Sequence, residues 1–359
     1  MIGKLRPSER LTTVPRYGRG RAVVSPIATH RLGSNEVPDC DDGLQWPAAQ
    51  AAQTVHRYPD LHGEPLIEAL SLRFGLSQTD IAVGAGSIVL LDQLIRAFCD
   101  ADDEILSFWR SYEAYPILAG ISGVRLVTVP FGPDGQPDED GLIEAISGST
   151  RVVLLCNPNN PTGVTLSEQR IDALLARIPP HLLVVLDEAY IEFASSPAEA
   201  LFSPKRRLSI HPNLAILRTF SKVWGLAGAR VGYCMANAPI IDALRTVAAP
   251  FPLSGMALAM AKAALARPDV VAARIARNAS ERGRLMKGLR TLGFPVLESQ
   301  ANFVWLPLGA RASSFTEYLD RERIAVRCFD GEGVRITVGS PDDTTAVLGT
   351  AARFLTGGL

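Results

Sequence analysis

Lysine is scarce in this chain. Of 36 Lys and Arg residues only five are lysines: Lys4, Lys205, Lys222, Lys262 and Lys287. Any chemistry that needs a lysine therefore has a short list of candidates. Cysteine is scarce too, and the five present (Cys40, Cys99, Cys156, Cys234 and Cys328) are odd in number and scattered. That pattern argues against a disulfide framework or a zinc site and for a reducing cytoplasm. No metal ligand set is expected, because the five histidines form no HExxH pattern. The P-loop, GxGxxG and GxSxG patterns are also missing. Gly84-Ala85-Gly86 comes nearest to a dinucleotide loop, but Val89 stands where the third glycine belongs. No apolar run reaches the about 18 residues of a membrane span. Residues Met1–Arg21 are basic and have no apolar stretch of the secretory kind. Charge of one sign is lacking as well: 36 basic against 37 acidic side chains leave a net charge of −1. Nucleic acid or a membrane surface, gathered by bulk charge, is therefore not an expected partner.

What is present is apolar mass. The chain has 359 residues, 47% of them hydrophobic, enough for a large core and for two or three domains. Residues 1–45 show little periodicity and read as an arm that packs on something else. From about 64 to 236 helix-like stretches (64–74, 87–99, 138–147, 167–178) alternate with short apolar runs. These runs are Ile105–Phe108, Arg125–Val129, Val152–Cys156, Leu182–Leu186, Leu214–Leu217 and Gly232–Met235. Such alternation predicts an α/β fold with a mostly parallel sheet covered on both faces. Residues 238–292 are rich in Ala, Leu and Arg and suit long helices, with a break at Pro250-Phe251-Pro252. Strands at Asn302–Leu306, Ala325–Cys328 and Val334–Val338, with helices near 311–321 and 342–355, complete a smaller α+β unit. The expected division is an arm at 1–45, a large domain at 46–245 and a small C-terminal domain at 246–359.

Four motifs carry chemistry. Lys222 follows the apolar run Leu214–Leu217, and ligands of open α/β sheets bind beyond the carboxyl ends of strands. Behind it Gly225, Gly228 and Arg230 allow close backbone approach and offer a guanidinium. Asp187 ends the run His181–Leu186, where a carboxylate needs a partner such as a protonated ring nitrogen, or caps a helix. Asn157-Pro158-Asn159-Asn160-Pro161-Thr162-Gly163 reads as a rigid turn that could aim an amide. Gly84-Ala85-Gly86-Ser87 precedes a helix, where open N–H groups can hold a phosphate. Taken singly, each motif also fits a solvated lysine, a helix cap or an ordinary turn.

Together the motifs are specific. With Leu32-Gly33-Ser34-Asn35-Glu36, Arg57-Tyr58-Pro59-Asp60, Asp187-Glu188-Ala189-Tyr190, Thr219-Phe220-Ser221-Lys222, Leu226–Tyr233, Asn302-Phe303-Val304 and Val334–Gly339, the chain resembles the pyridoxal-phosphate aminotransferases of fold type I, class I/II, over nearly its whole length. The nearest branch is the histidinol-phosphate aminotransferase group, and within it the actinobacterial aromatic (phenylalanine) aminotransferases. The pointers are Gly84-x-Gly86-Ser87, Trp109-Arg110-Ser111-Tyr112-Glu113-x-Tyr115-Pro116 and Ser299–Gly309. Many relatives carry acidic residues at the Ile88 and Val89 positions and Pro-Pro where Trp109-Arg110 stand.

The resemblance implies a large cofactor-binding domain, a smaller domain, and an arm that joins the small domain to the substrate site. It implies pyridoxal 5'-phosphate as cofactor and a cytoplasmic homodimer with shared active sites. Lys222 is implied as the covalent cofactor lysine and proton shuttle. Asp187 pairs with the ring nitrogen, Asn160 and Tyr190 with the ring oxygen, and Tyr112 stacks on the ring. Gly86, Ser87, Ile88, Thr219, Ser221 and Arg230 hold the phosphate, with Tyr58 reaching it from the other subunit. Arg335 takes the substrate α-carboxylate, Asn160 lies beside it, and Tyr17 and Arg327 match the side-chain pocket. The implied reaction is ping-pong transfer of an amino group from Phe, Tyr or Trp to 2-oxoglutarate. Histidinol phosphate as donor, and a decarboxylase on the same fold, are the alternatives.

Overall fold

The computed structural model describes residues 8–16, 29–132, 135–194 and 203–357. The first element is a single turn at Glu9–Thr12, and the first strand is β1 (His30–Leu32). Seven strands follow: β2 (Ile81–Gly84), β3 (Glu104–Trp109), β4 (Arg125–Pro130), β5 (Thr150–Cys156), β6 (Leu183–Asp187), β7 (Leu214–Thr219) and β8 (Gly232–Ala236). They form one sheet in the order β2-β8-β7-β6-β5-β3-β4. All neighbours pair in parallel except β8, which is antiparallel to both β2 and β7. The α/β architecture with a mostly parallel sheet is thus as the sequence predicts.

Strand side chains point alternately to the two faces. Val153 and Leu155 enter one core, with the helices Glu64–Phe74 and Glu168–Arg177. Val152 and Leu154 enter the other, with the helices Ser87–Phe98, Ala114–Ser122 and Ala238–Val247. Burial on both faces explains why these strands read as unbroken apolar runs. The helix Gly255–Leu265, which the sequence division assigns to the small domain, packs on Gln45–Ala52 and Glu64–Phe74. Its Ala257, Leu258, Ala261 and Ala264 belong to the first of these cores.

A second sheet has the order β1-β10-β11-β9, from β9 (Phe303–Leu306), β10 (Ile324–Phe329) and β11 (Gly333–Thr337). β1 pairs in parallel with β10, so part of the arm is a strand of this sheet. Its core is Leu32, Val304, Val326 and Ile336 under the helices Pro268–Thr291, Ala312–Arg321 and Pro341–Leu355. The long helix Pro268–Thr291 spans both cores: Val271 and Ile275 lie against the large one, Leu285 and Leu289 inside the small one. No helix among the described residues is long and apolar enough to cross a membrane.

Candidate functional site

The site gathers at the carboxyl edge of the large sheet. Asp187 is the last residue of β6, Asn157 follows β5, and Lys222 comes three residues after β7. Arg230 precedes a strand instead, β8. Because β8 runs antiparallel, with Gly232 opposite Thr219, its start lies at the same edge. Gly84 ends β2 opposite Gly232, which brings Gly84-Ala85-Gly86 there as well.

Lys222 is half-buried, and its Nζ lies 3.3 Å from the carbonyl oxygens of Ser34 and Asn35. It stands 5.3 Å from the centre of the Tyr190 ring. Burial pushes its pKa down to about 7, helped by the positive charges of Arg335 and Arg230 and opposed by Glu36 and Asp187. A large fraction of the amine is therefore neutral near pH 7. Lys205 lies beside Gly75, Lys262 lines a separate cavity and Lys287 lies on the helix Pro268–Thr291, so none of these three shares this setting.

Asp187 is buried, and its carboxylate accepts from the Tyr115 hydroxyl at 3.3 Å and the Ala189 N–H at 3.2 Å. Burial pushes its pKa up to about 6 against those two hydrogen bonds. Tyr112 packs edge-on against Tyr115, with ring centroids 5.7 Å apart. Tyr190 is buried against the Phe303 ring, and its hydroxyl accepts from Asn35 Nδ2 at 3.0 Å. Burial raises its pKa, so the hydroxyl stays protonated.

The Asn-Pro turn is fixed from within. The Asn157 Oδ1 accepts from Leu166 N–H at 2.8 Å, and Asn159 Nδ2 donates to Thr162 Oγ1 at 2.8 Å. Gly163 has φ +76°, and a Cβ there would lie 2.2 Å from Ser299 Oγ. The turn thereby presents Asn160, whose Oδ1 accepts from Arg335 Nη1 at 2.6 Å. Arg335 Nη2 donates to the Gly33 carbonyl at 2.6 Å.

A cradle for an anion lies beside Lys222. The helix Ser87–Phe98 starts after Gly86, which has no side chain to cap the first N–H groups. A Cβ on Gly86 would sit 2.7 Å from Arg230 Nη2, and one on Gly232 would sit 2.2 Å from Ser87 N. Both glycines thus let the guanidinium and the two backbones close in. Arg230 Nη1 also donates to Ser221 Oγ at 3.2 Å, and Thr219 Oγ1 accepts from Ser221 N–H at 3.1 Å. Uncapped N–H groups, hydroxyls and one guanidinium meet there, a set that suits phosphate.

Arg327 is engaged by a residue that the sequence reading left without a role. Its Nη2 donates to Glu113 Oε1 at 2.6 Å and its Nε to Oε2 at 3.2 Å. Tyr58 is not brought to the cleft of its own chain: it is 83% exposed and stacks on Phe251 at 4.6 Å. Ile88 packs in part against the second core. Tyr17 lies outside the described residues. Asn35, Tyr115 and Glu113 join the site without having been singled out, although each falls in a motif noted above.

The profile of the family "Aminotransferase class I and II" matches residues 30–350. A curated relative from Streptomyces coelicolor, an aromatic amino acid aminotransferase, is 41% identical over 96% of each chain. One of the same name from Thermobifida fusca is 40% identical, again over 96% of each. Among solved structures, the histidinol-phosphate aminotransferase from Sinorhizobium meliloti in complex with pyridoxal-5'-phosphate is similar, with a TM-score of 0.89, 28% identity and 99% coverage of each chain.

Proposed function

The chain belongs to the class I and II aminotransferase family, and from that premise we propose that it moves the amino group of an aromatic amino acid (Phe, Tyr or Trp) to 2-oxoglutarate by a ping-pong mechanism. Pyridoxal 5'-phosphate is the proposed cofactor, and the protein acts in the cytoplasm as a homodimer. The observation that carries the reading is Lys222, a lysine held near neutrality between Asp187, Arg230 and Arg335. The similarity to the aromatic aminotransferases of Streptomyces and Thermobifida supports the donor class.

The residues fit this cofactor. The Gly86-Ser87 helix start with Arg230 suits its phosphate. The Asp187 carboxylate accepts from two neutral donors, Tyr115 and Ala189, and would gain from a cationic N–H. When bound, pyridoxal phosphate supplies the electron sink that stabilises negative charge at the substrate Cα.

The protein groups hold, orient and move protons around it. Lys222, neutral near pH 7, would hold the cofactor covalently and would carry a proton to or from the substrate Cα. Asp187 would keep a ring nitrogen protonated, and Asn160 and Tyr190 would address the ring oxygen. Tyr112 would cover the ring face. Gly86, Ser87, Ile88, Thr219, Ser221 and Arg230 would hold the phosphate, and Tyr58 of a second copy would complete that cradle. Arg335 offers two parallel N–H donors to the α-carboxylate, which a lysine cannot do. Tyr17 and Arg327 belong to the side-chain pocket.

The test is kcat/KM for phenylalanine and for histidinol phosphate with 2-oxoglutarate under one set of conditions. Phenylalanine is expected to win. A preference of tenfold or more for histidinol phosphate would replace the aromatic assignment with the histidine-pathway one. Against alanine, phenylalanine should gain about thirtyfold, the worth of ~2 kcal/mol of buried ring.

A further inference from the structure

Arg327 and Arg335 stand directly opposite each other in the antiparallel pair β10 and β11. Such cross-strand partners share a face, with Cβ atoms about 5 Å apart. The two guanidinium groups are treated differently. Arg335 donates to amide oxygens of Asn160 and Gly33, whereas Arg327 is gripped by both oxygens of the Glu113 carboxylate. The Arg327 side chain is 10% exposed and that of Glu113 is 25% exposed. Glu113 stands just before the helix Ala114–Ser122, in the loop that leaves β3, so this ion pair joins the large core to the small sheet.

We propose that Glu113 is a displaceable counter-ion for Arg327, and that this exchange lets one pocket take both an apolar aromatic side chain and an acidic one. The inference rests on the reading of an aromatic donor with 2-oxoglutarate as acceptor. An aromatic ring brings no charge to the pocket, and a nearly buried guanidinium left alone there would be strongly unfavourable. Glu113 then stays and keeps Arg327 neutralised. A distal carboxylate of 2-oxoglutarate or glutamate offers the same two parallel hydrogen bonds. Glu113, the more exposed partner, gives way to it and turns to water.

A second ion pair allows the exchange without freeing the loop. Arg110, three residues earlier, pairs with Glu332 between β10 and β11, its Nε donating to Oε2 at 2.8 Å. The Arg110 guanidinium also lies over the rings of Trp109 and Phe329, at 4.5 Å and 5.4 Å. The two pairs run in opposite directions between the same loop and the same hairpin. When Glu113 lets go, Arg110–Glu332 and the stacked rings keep the loop seated.

The experiment follows each half-reaction of the holoenzyme separately, by the change in cofactor absorbance, for wild type and Glu113→Gln. The variant should raise kcat/KM for 2-oxoglutarate and lower it for phenylalanine. The ratio of the two should move by about tenfold, the equivalent of ~1.4 kcal/mol. Glu113→Asp, which shortens the carboxylate's reach, should move it in the same direction by less. It also serves as the test if Glu113→Gln does not fold. An unchanged ratio, or an equal loss in both half-reactions, would overturn the counter-ion role and leave the aminotransferase reading standing. If Arg327→Leu does not weaken the 2-oxoglutarate half-reaction, or wild type does not use that acceptor, it is the pocket reading that fails, and the counter-ion role with it.

Discussion

At the scale of residues, Lys222 and Asp187 are held away from their ordinary protonation behaviour in opposite senses. Lys222 falls from 10.5 to about 7 in the fold, and Asp187 rises from 3.8 to about 6. A neutral amine is the nucleophile, so the rate at which apoprotein takes up pyridoxal phosphate should rise with pH through about 7 and then level off. A rate still climbing steadily toward pH 10 would show an ordinary lysine. Stability is linked to the same proton. Between pH 7 and 10.5 the unfolded chain binds a proton at Lys222 that the folded chain has released, so apoprotein stability from this group increases with pH across that window. The penalty is fully present below pH 7. Lys222→Met should therefore raise the apoprotein Tm most in acid and least near pH 10, while abolishing transamination. Borohydride treatment of the holoenzyme followed by peptide mapping should mark Lys222, and a mark on Lys205, Lys262 or Lys287 would refute it. Asp187→Asn should lower kcat by about a hundredfold or more, because a neutral amide cannot stabilise a cationic ring nitrogen. Near-wild-type kcat in a folded variant would make Asp187 structural only. Lys222, Asp187 and Asn160 are legible in the sequence because each follows an apolar strand run. Asn35 and Glu113 are not, because their contacts are remote: Asn35 meets Tyr190 across 155 residues, and Glu113 meets Arg327 across 214.

At the scale of elements, the strands with continuous Val, Ile and Leu are the ones that the sequence places well. β2 escapes because it has only four residues and follows directly on the turn Gln78–Asp80. The helix Ala114–Ser122 escapes because it carries both Pro116 and Gly120 and shows little polar contrast. Apolar periodicity cannot distinguish such a segment from a loop or strand. Yet β2 positions the proposed site, since its Gly84 pairs with Gly232 and brings the Gly86-Ser87 turn to Arg230. Gly232→Ala would place its Cβ within 2.5 Å of backbone atoms of both Gly86 and Ser87. Neither can retreat without moving the helix start. The expected outcome is a weaker Kd for pyridoxal phosphate by about tenfold or more, read by fluorescence titration. Unchanged affinity would mean that the loop does not bind the phosphate. Far from the site, Ser340 and Asp343 cap the helix Pro341–Leu355 reciprocally. Ser340→Ala should lower stability by about 1 kcal/mol without altering the ratio of the half-reactions. A denaturant melt checks the first effect and the separate half-reactions the second.

At the scale of the molecule, one region leaves several large apolar side chains exposed. Trp46, Val55 and Tyr58 are 70%, 71% and 83% exposed, and Leu61, Phe251 and Met256 are exposed as well. The segments that carry them meet: Tyr58 stacks on Phe251, and the helix Gln45–Ala52 packs on Gly255–Leu265. An exposed apolar cluster of this kind marks an interaction site. Its occupant in our reading is a second copy of the chain, and Tyr58 is the residue that crosses. Two variants test this together. Lys222→Ala removes the lysine from its own cleft, and Tyr58→Ala removes the crossing side chain from the partner's cleft. In a mixed dimer both defects fall on one site, and the other site keeps a lysine from one chain and a tyrosine from the other. Random exchange of the two inactive proteins should restore about a quarter of the wild-type activity, since half the dimers are mixed and each holds one sound site of two. Light scattering should report twice the chain mass throughout. Activity that stays at the level of the separate variants after proven subunit exchange would place Tyr58 outside the site. A single chain mass would remove the shared dimer altogether.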